Sequence, residues 1–139
     1  MQSHLIIWPM LVQMLMSLLL YIPLLQRKKA AIRAGQVDLK KTALDADAWP
    51  PAVQQVNNNI RNQFETPILF YVLGLIALQL NAVSGVILTL AWLYVASRLA
   101  HAWIHISSNF VPWRMKVFSL GMALLILITL TLAKHLAGL

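Results

Sequence analysis

Four apolar runs divide the chain: His4 to Leu25, Phe64 to Leu80, Val86 to Ile106 and Val117 to Leu136. Each comes close to the roughly 20 residues an α-helix needs to cross the hydrocarbon core of a bilayer. Strict alternation of apolar and polar positions, the mark of a transmembrane β-barrel, is absent. The pattern predicts an all-α integral membrane protein: a bundle of four transmembrane helices over residues 4–25, 51–80, 86–107 and 113–136, with one sizeable loop at 26–50 and a single domain over 1–139. Pro9 falls in the opening turns of the first helix, where a missing backbone donor is tolerated. Trp49-Pro50-Pro51 suits the start of a second helix near Pro51, which enters the bilayer near Phe64. Within it, Pro67 removes the hydrogen bond to the Gln63 carbonyl, predicting a kink beside Glu65 and a free carbonyl there. The short turn from Asn81 to Gly85 makes the second and third helices antiparallel neighbours. In the fourth, Ser119, Gly121 and Ala123 are small enough to let another helix approach closely.

Composition agrees, with 60% hydrophobic and 11% charged residues and a mean hydropathy of +0.71, values foreign to a soluble domain of this size. The first run is not a signal peptide, because Arg27, Lys28 and Lys29 follow it instead of preceding it and no small-x-small cleavage pattern appears; it reads as a retained helix with a stop-transfer anchor. Six of the eleven lysines and arginines lie between Arg27 and Lys41, Arg61 opens the second span, and Arg114 and Lys116 flank the entry to the fourth. By the positive-inside rule both basic turns face the cytoplasm and both termini lie on the other side. The net charge of +7 is thus gathered on one face, which attracts anionic lipid headgroups or an anionic soluble ligand. Nucleic acid is not an expected partner, since no aromatic-interleaved basic module accompanies the charge. The absence of cysteine excludes disulfides, thiolate metal sites and a cysteine nucleophile. Any thiol used here comes from a ligand.

Glu65 is the only glutamate and the only acidic residue outside the 26–49 loop. Ionisable groups in a spanning segment are costly and usually face a partner, a cavity or a substrate. Asn58, Arg61, Asn62 and Glu65 follow i, i+3, i+4, i+7 spacing and so share one stripe of the second helix. Tyr94, Arg98, His101, His105 and Ser108 form a second stripe in the third helix, in steps of four, three, four and three. Two such stripes on neighbouring helices predict a shared polar interior. At the helical rise per residue, Glu65 and Arg98 each lie roughly 10 to 15 Å from the cytoplasmic end, so they are expected to meet. A lone arginine at that depth costs about 2.5 kcal/mol or more, and Glu65 is the one carboxylate within reach. With Arg61, Arg98 and Arg114 around it, the site keeps a positive excess suited to an anionic ligand. The bland reading of the same ions is a structural lock between helices or subunits. His101 and His105 have the i, i+4 spacing of a two-histidine metal site, but no third ligand beyond Glu65 and no HExxH element accompanies them, so no metal is expected.

Taken in order, Arg61-Asn62-x-x-Glu65-Thr66, the basic loop before it, Arg98-x-x-His101 and Pro112-x-Arg114 resemble the MAPEG family, the membrane-associated proteins of eicosanoid and glutathione metabolism. The resemblance implies a homotrimer of four-helix protomers with glutathione as co-substrate, held between neighbouring subunits and open to the cytoplasm. It implies that Arg61, Asn62, Glu65, Arg98 and His101 bind glutathione, Glu65 at its amine, and that Asn58, Tyr94, His105 and Phe118 line the pocket. Arg114 is implied as the catalytic residue: a guanidinium beside the sulfur stabilises the thiolate, which is the nucleophile. Hydrophobic substrates arrive through the lipid. The prostaglandin synthase branch of the family carries arginine where this chain has Asn58, serine at Met115, and tyrosine at His105 and Phe118. Lost hydroxyls near the thiol count against that isomerase activity, and the resemblance implies a general glutathione transferase or peroxidase acting on hydrophobic electrophiles or lipid hydroperoxides. The alternative is a non-catalytic trimeric module that binds an anionic lipid or a small thiol. A transporter is disfavoured by the absence of an inverted repeat.

Overall fold

The computed structural model describes residues 3–139, and every regular element among them is helical. A 3-10 turn at Ser3–Ile6 leads into α1 (Ile7–Leu19) and then α2 (Tyr21–Arg33). Leu20 between them keeps helical backbone angles, so Ser3–Arg33 is one continuous 31-residue rod. Pro23 accounts for the seam, since it has no N–H to offer the Leu19 carbonyl four residues back. The rod passes the expected end at residue 25 because lysine, arginine and alanine, though polar or small, are strong helix formers. It stops at Gly35, whose φ of 67° allows the Gly35 and Gln36 N–H groups to bond back to the Ile32 and Ala31 carbonyls in a left-handed closure. The predicted 26–50 loop shrinks accordingly and holds α3 (Leu39–Thr42) and a 3-10 turn at Ala46–Ala48. Asp38 and Asp45 are spent as caps on these two elements, accepting from backbone N–H groups.

Arg27 corrects the stop-transfer reading of its basic run. Its side chain turns inward: Nη1 donates to the Ala52 carbonyl at 2.8 Å and to Gln55 Oε1 at 3.3 Å, and Nη2 donates to the Ile106 carbonyl at 2.7 Å. A cation at the last carbonyls of a helix also meets the negative end of its dipole. Arg27→Ala is therefore expected to cost about 1.5–3 kcal/mol, the range for charge-assisted bonds, seen as a lower unfolding midpoint in detergent. Exposed Lys29 is the control whose alanine variant leaves the midpoint in place.

The second predicted span divides in two, α4 (Pro51–Gln63) and α5 (Thr66–Gln79). The expected kink is a full break. Pro67 can neither bond nor comfortably approach the Gln63 carbonyl, and the chain leaves the helix at Phe64 (φ −99°, ψ 14°) and Glu65 (φ −103°, ψ −104°). Among the described residues three helices are long and apolar enough to cross a membrane: Ser3–Arg33, α6 (Gly85–Ile106) and α7 (Val111–Leu136). At 14 residues, α5 spans roughly 21 Å, short of the ~30 Å hydrocarbon core.

Ser84 caps α6 through the Ile87 N–H at 3.2 Å, and Pro112 sits in the first turn of α7. The most extensive helix pairing is α6 with α7. Of the three small residues in α7 only Gly121 serves it, since a Cβ there would lie 3.2 Å from Ser97 Oγ and 3.6 Å from the Tyr94 ring; Ser119 and Ala123 are exposed. The amino-terminal half of the second span, α4, packs on α2 and α6, whereas α5 packs on α1 and α7. Contact between α5 and α6 runs through side chains: the Phe70 and Tyr94 rings lie 4.7 Å apart, and the Thr66 and Tyr94 hydroxyls share a hydrogen bond of 3.2 Å.

The buried apolar residues form two clusters. One gathers Met10, Phe70, Ala91, Tyr94, Val95 and Leu125 with their neighbours; the other gathers Leu20, Leu24, Val53, Val56 and Ile60. Buried polar side chains accompany the two clusters: Gln13 in α1, Asn59 and Gln63 in α4, and Ser97, Arg98, His101 and His105 in α6.

Candidate functional site

One part of this buried polar set is a chain of amides, in which Gln13 Oε1 is left without a partner among the described residues. Gln13 Nε2 donates to Gln63 Oε1 at 3.1 Å, Gln63 Nε2 donates to Asn59 Oδ1 at 3.0 Å, and Asn59 Nδ2 donates to the Ala102 carbonyl at 3.2 Å. Water cannot replace such bonds in a bilayer core, so each amide needs a protein partner. The chain ties α1, α4 and α6 together at one level. Gln63 lies four residues after Asn59, the spacing at which side chains meet on a helix; that was the signal in the sequence, overlooked because neither residue is charged.

The other part surrounds Arg98. This guanidinium is 1% exposed, yet its Nη2 donates to Asn62 Oδ1 at 3.3 Å and to the Asn62 carbonyl at 3.4 Å, not to Glu65. The expected Arg98–Glu65 pair gives way because α4 ends at Gln63 and Glu65 sits in the break, turned to the outside of the protomer. Arg98 takes carbonyl oxygens in place of a carboxylate, an accepted solution for intramembrane arginine. Its guanidinium carbon also lies 6.0 Å from the centre of the Phe118 ring, at the outer limit for a cation–π contact.

His101 and His105 are both buried, with ring centres 5.7 Å apart, and His101 lies 5.9 Å from Phe118. Among the described residues no cluster of three metal-binding side chains forms around them. Among the described residues, three buried atoms of this region have no partner: Arg98 Nε, His101 Nδ1 and His105 Nδ1. Buried polar atoms are satisfied in the great majority of cases, so the three together set this region apart.

A pocket of about 210 Å³ opens beside them, lined by Asn62, Glu65, His101, Arg114, Met115 and Phe118. Four elements build it: Asn62 comes from the last turn of α4, Glu65 from the break, His101 from α6, and the other three from the first two turns of α7. The structure therefore brings together five of the residues singled out in the sequence. Arg98 stands behind the wall, in contact with Asn62 and Phe118. Asn58 and Arg61 lie on the exposed face of α4, which continues to exposed Glu65. Tyr94 is deep in the apolar core and fully buried. His105 lies one turn beyond His101, and the helix ends before Ser108, which is exposed. Two larger apolar hollows lie elsewhere, about 510 Å³ between α1 and α6 beside Trp103, and about 430 Å³ between α1 and the break, where Ser17, Gln63 and Tyr71 supply the polar atoms.

Chemically the small pocket offers a cation, a carboxylate, a carboxamide and an imidazole together with the Phe118 ring and the Met115 side chain. That set suits a small molecule carrying both charges. At 210 Å³ it is smaller than the roughly 300–1,000 Å³ of ordinary ligand pockets, and its charged rim points away from the protomer. No curated protein and no solved structure matches the chain. The model of the MAPEG family matches residues 5–134, nearly its whole length, and the chain belongs to that family, as an integral membrane protein of the glutathione and eicosanoid metabolism type.

Proposed function

We propose that this protein is a membrane-bound glutathione-dependent transferase or peroxidase acting on hydrophobic electrophiles or lipid hydroperoxides. The carrying observation is the pocket that joins Asn62, Glu65, His101, Arg114 and Phe118 next to three buried polar atoms without partners. Glutathione fits that donor set: Glu65 takes its ammonium, Arg61 with Asn62 takes its carboxylates and amides, Arg98 orients Asn62 and adds positive charge from behind it, His101 completes the polar wall, and Arg114 faces the sulfur. Asn58, His105 and Phe118 border the site, and Tyr94 supports it from the core. The undersized pocket and the exposed row Asn58, Arg61 and Glu65 support completion by a second copy of the chain, in a homotrimer of single-domain protomers spanning 1–139. In that assembly α5 completes a fourth crossing together with the last turns of α4, both termini lie on the non-cytoplasmic side, and the site opens to the cytoplasm.

Arg114 performs the central task by stabilising negative charge on the sulfur as the thiol proton leaves to water. In the transferase reaction the thiolate then forms a bond to the electrophilic carbon, and the leaving group departs with its electron pair. In the peroxidase reaction the thiolate takes the terminal oxygen of the hydroperoxide and the O–O bond breaks. The alkoxide collects a proton, and a second glutathione converts the sulfenic acid to disulfide and water. Phe118 and Met115 shield the sulfur, and the hydrophobic partner reaches it from the lipid.

Purified protein with glutathione and a chromogenic aryl halide tests this reading. Saturable conjugation is expected, and Glu65→Gln is expected to weaken glutathione binding about tenfold or more through loss of a charge-assisted bond, while the fold is retained because Glu65 is exposed. A wild-type protein that neither binds nor conjugates glutathione, paired with a Glu65→Gln variant that falls apart into protomers, would assign these ions to a structural lock.

A further inference from the structure

Arg114 carries a long, flexible side chain on the first turn of α7, and the carboxylate nearest in the pocket, Glu65, is not its partner. Among the described residues its guanidinium has one hydrogen-bond acceptor, the carboxamide oxygen of Asn109. Asn109 is itself fixed. Its backbone is left-handed (φ 52°), a conformation that asparagine tolerates better than other side chains, and its N–H bonds the Ile104 carbonyl at 2.8 Å. The carboxamide thus springs from a point pinned to the end of α6 and reaches across the α6–α7 turn to the arginine. Its chemistry matters as much as its place. A neutral amide oxygen orients a guanidinium without cancelling its charge, whereas a carboxylate would compete with any bound anion.

We propose that Asn109 is a positioning residue whose carboxamide holds the Arg114 guanidinium at the pocket with its full charge left free for an anionic sulfur. The inference rests on the reading of Arg114 as the group that faces the sulfur. Preorganised charge is effective because nothing has to reorient when the anion forms. The predicted third helix stops at residue 107, short of Asn109, and the five-residue reach to Arg114 became visible with the turn.

The test measures the ultraviolet absorbance of bound glutathione thiolate against pH in the wild type, Asn109→Gly and Asn109→Asp, with the dissociation constant of glutathione measured alongside. Glycine keeps the left-handed turn and removes only the carboxamide. Asn109→Gly is expected to raise the midpoint of thiolate formation by about one pH unit, a tenfold lower thiolate fraction at pH values below both midpoints, with the dissociation constant within about twofold of wild type. Asn109→Asp keeps an acceptor but adds a charge, and raises the midpoint further. Thiolate that forms alike in the wild type and both variants would overturn the positioning role while leaving the glutathione reading intact. If Asn109→Gly does not fold, the Asn109→Asp midpoint decides alone, a rise supporting the role and no change overturning it. A wild type that forms no thiolate would overturn both readings at once.

Discussion

Arg114→Ala should slow conjugation of glutathione about 100-fold or more, the range seen when one preorganised stabiliser of a developing anion is removed. The loss is expected in kcat, because in the proposed site Arg61, Asn62 and Glu65, with Arg98 behind Asn62, still hold the rest of the peptide, and the KM for glutathione is expected to change little. Arg114→Lys should fall between, since an ammonium keeps the charge but not the planar fork that meets the Asn109 carboxamide. The side chain is half-buried with one partner, so the unfolding midpoint of Arg114→Ala stays near that of wild type. Steady-state kinetics of the three proteins check the prediction, and a variant that loses affinity with kcat unchanged would move Arg114 from chemistry to binding.

Gln63→Leu is expected to have the largest effect on stability. It strands Gln13 Nε2 and Asn59 Oδ1, whose bonds to Gln63 measure 3.1 and 3.0 Å, in a region that water does not reach. An orphaned buried polar group costs about 1–3 kcal/mol, although measured bonds between membrane helices run lower, about 0.6 kcal/mol on average and up to ~1.7. The expected loss is therefore about 2 kcal/mol for the two groups together. The double variant Gln13→Leu with Gln63→Leu removes one orphan along with its partner and should recover part of the loss. Unfolding midpoints in mixed detergent measure both, and a double variant no more stable than the single one would show that the amide chain is not what joins α1 to α4.

Much of this was legible in the chain because lipid permits so little. The apolar pattern located α6, α7 and the start of the rod to within a few residues, since a spanning helix must be apolar for as long as the core is thick. The same logic misjudged Gln26–Arg33, where the apolar run stops but the helix does not. The stripe from Tyr94 to His105 was readable because α6 is unbroken, and spacing then equals direction. On α4 and α5 the proline-induced break spoils that equality. Asn62 turns in to meet Arg98 while Glu65 turns out, so a pairing inferred from charge alone went to the wrong residue. Arg27 and Asn109 were hidden for a different reason: each acts on a backbone or side chain that only the tertiary fold brings near. Charge counting sees a basic run and a helix end, not the carbonyl of Ile106 or the guanidinium of Arg114.

The proposed function requires this pocket to hold glutathione as a thiolate against Arg114. Titrating the purified wild-type protein with glutathione while recording ultraviolet thiolate absorbance decides whether it does. A saturable absorbance that is lost in Arg114→Ala, although that variant still binds glutathione, is the predicted result. Glutathione that fails to bind, or binds as the neutral thiol in wild type and variant alike, would contradict it.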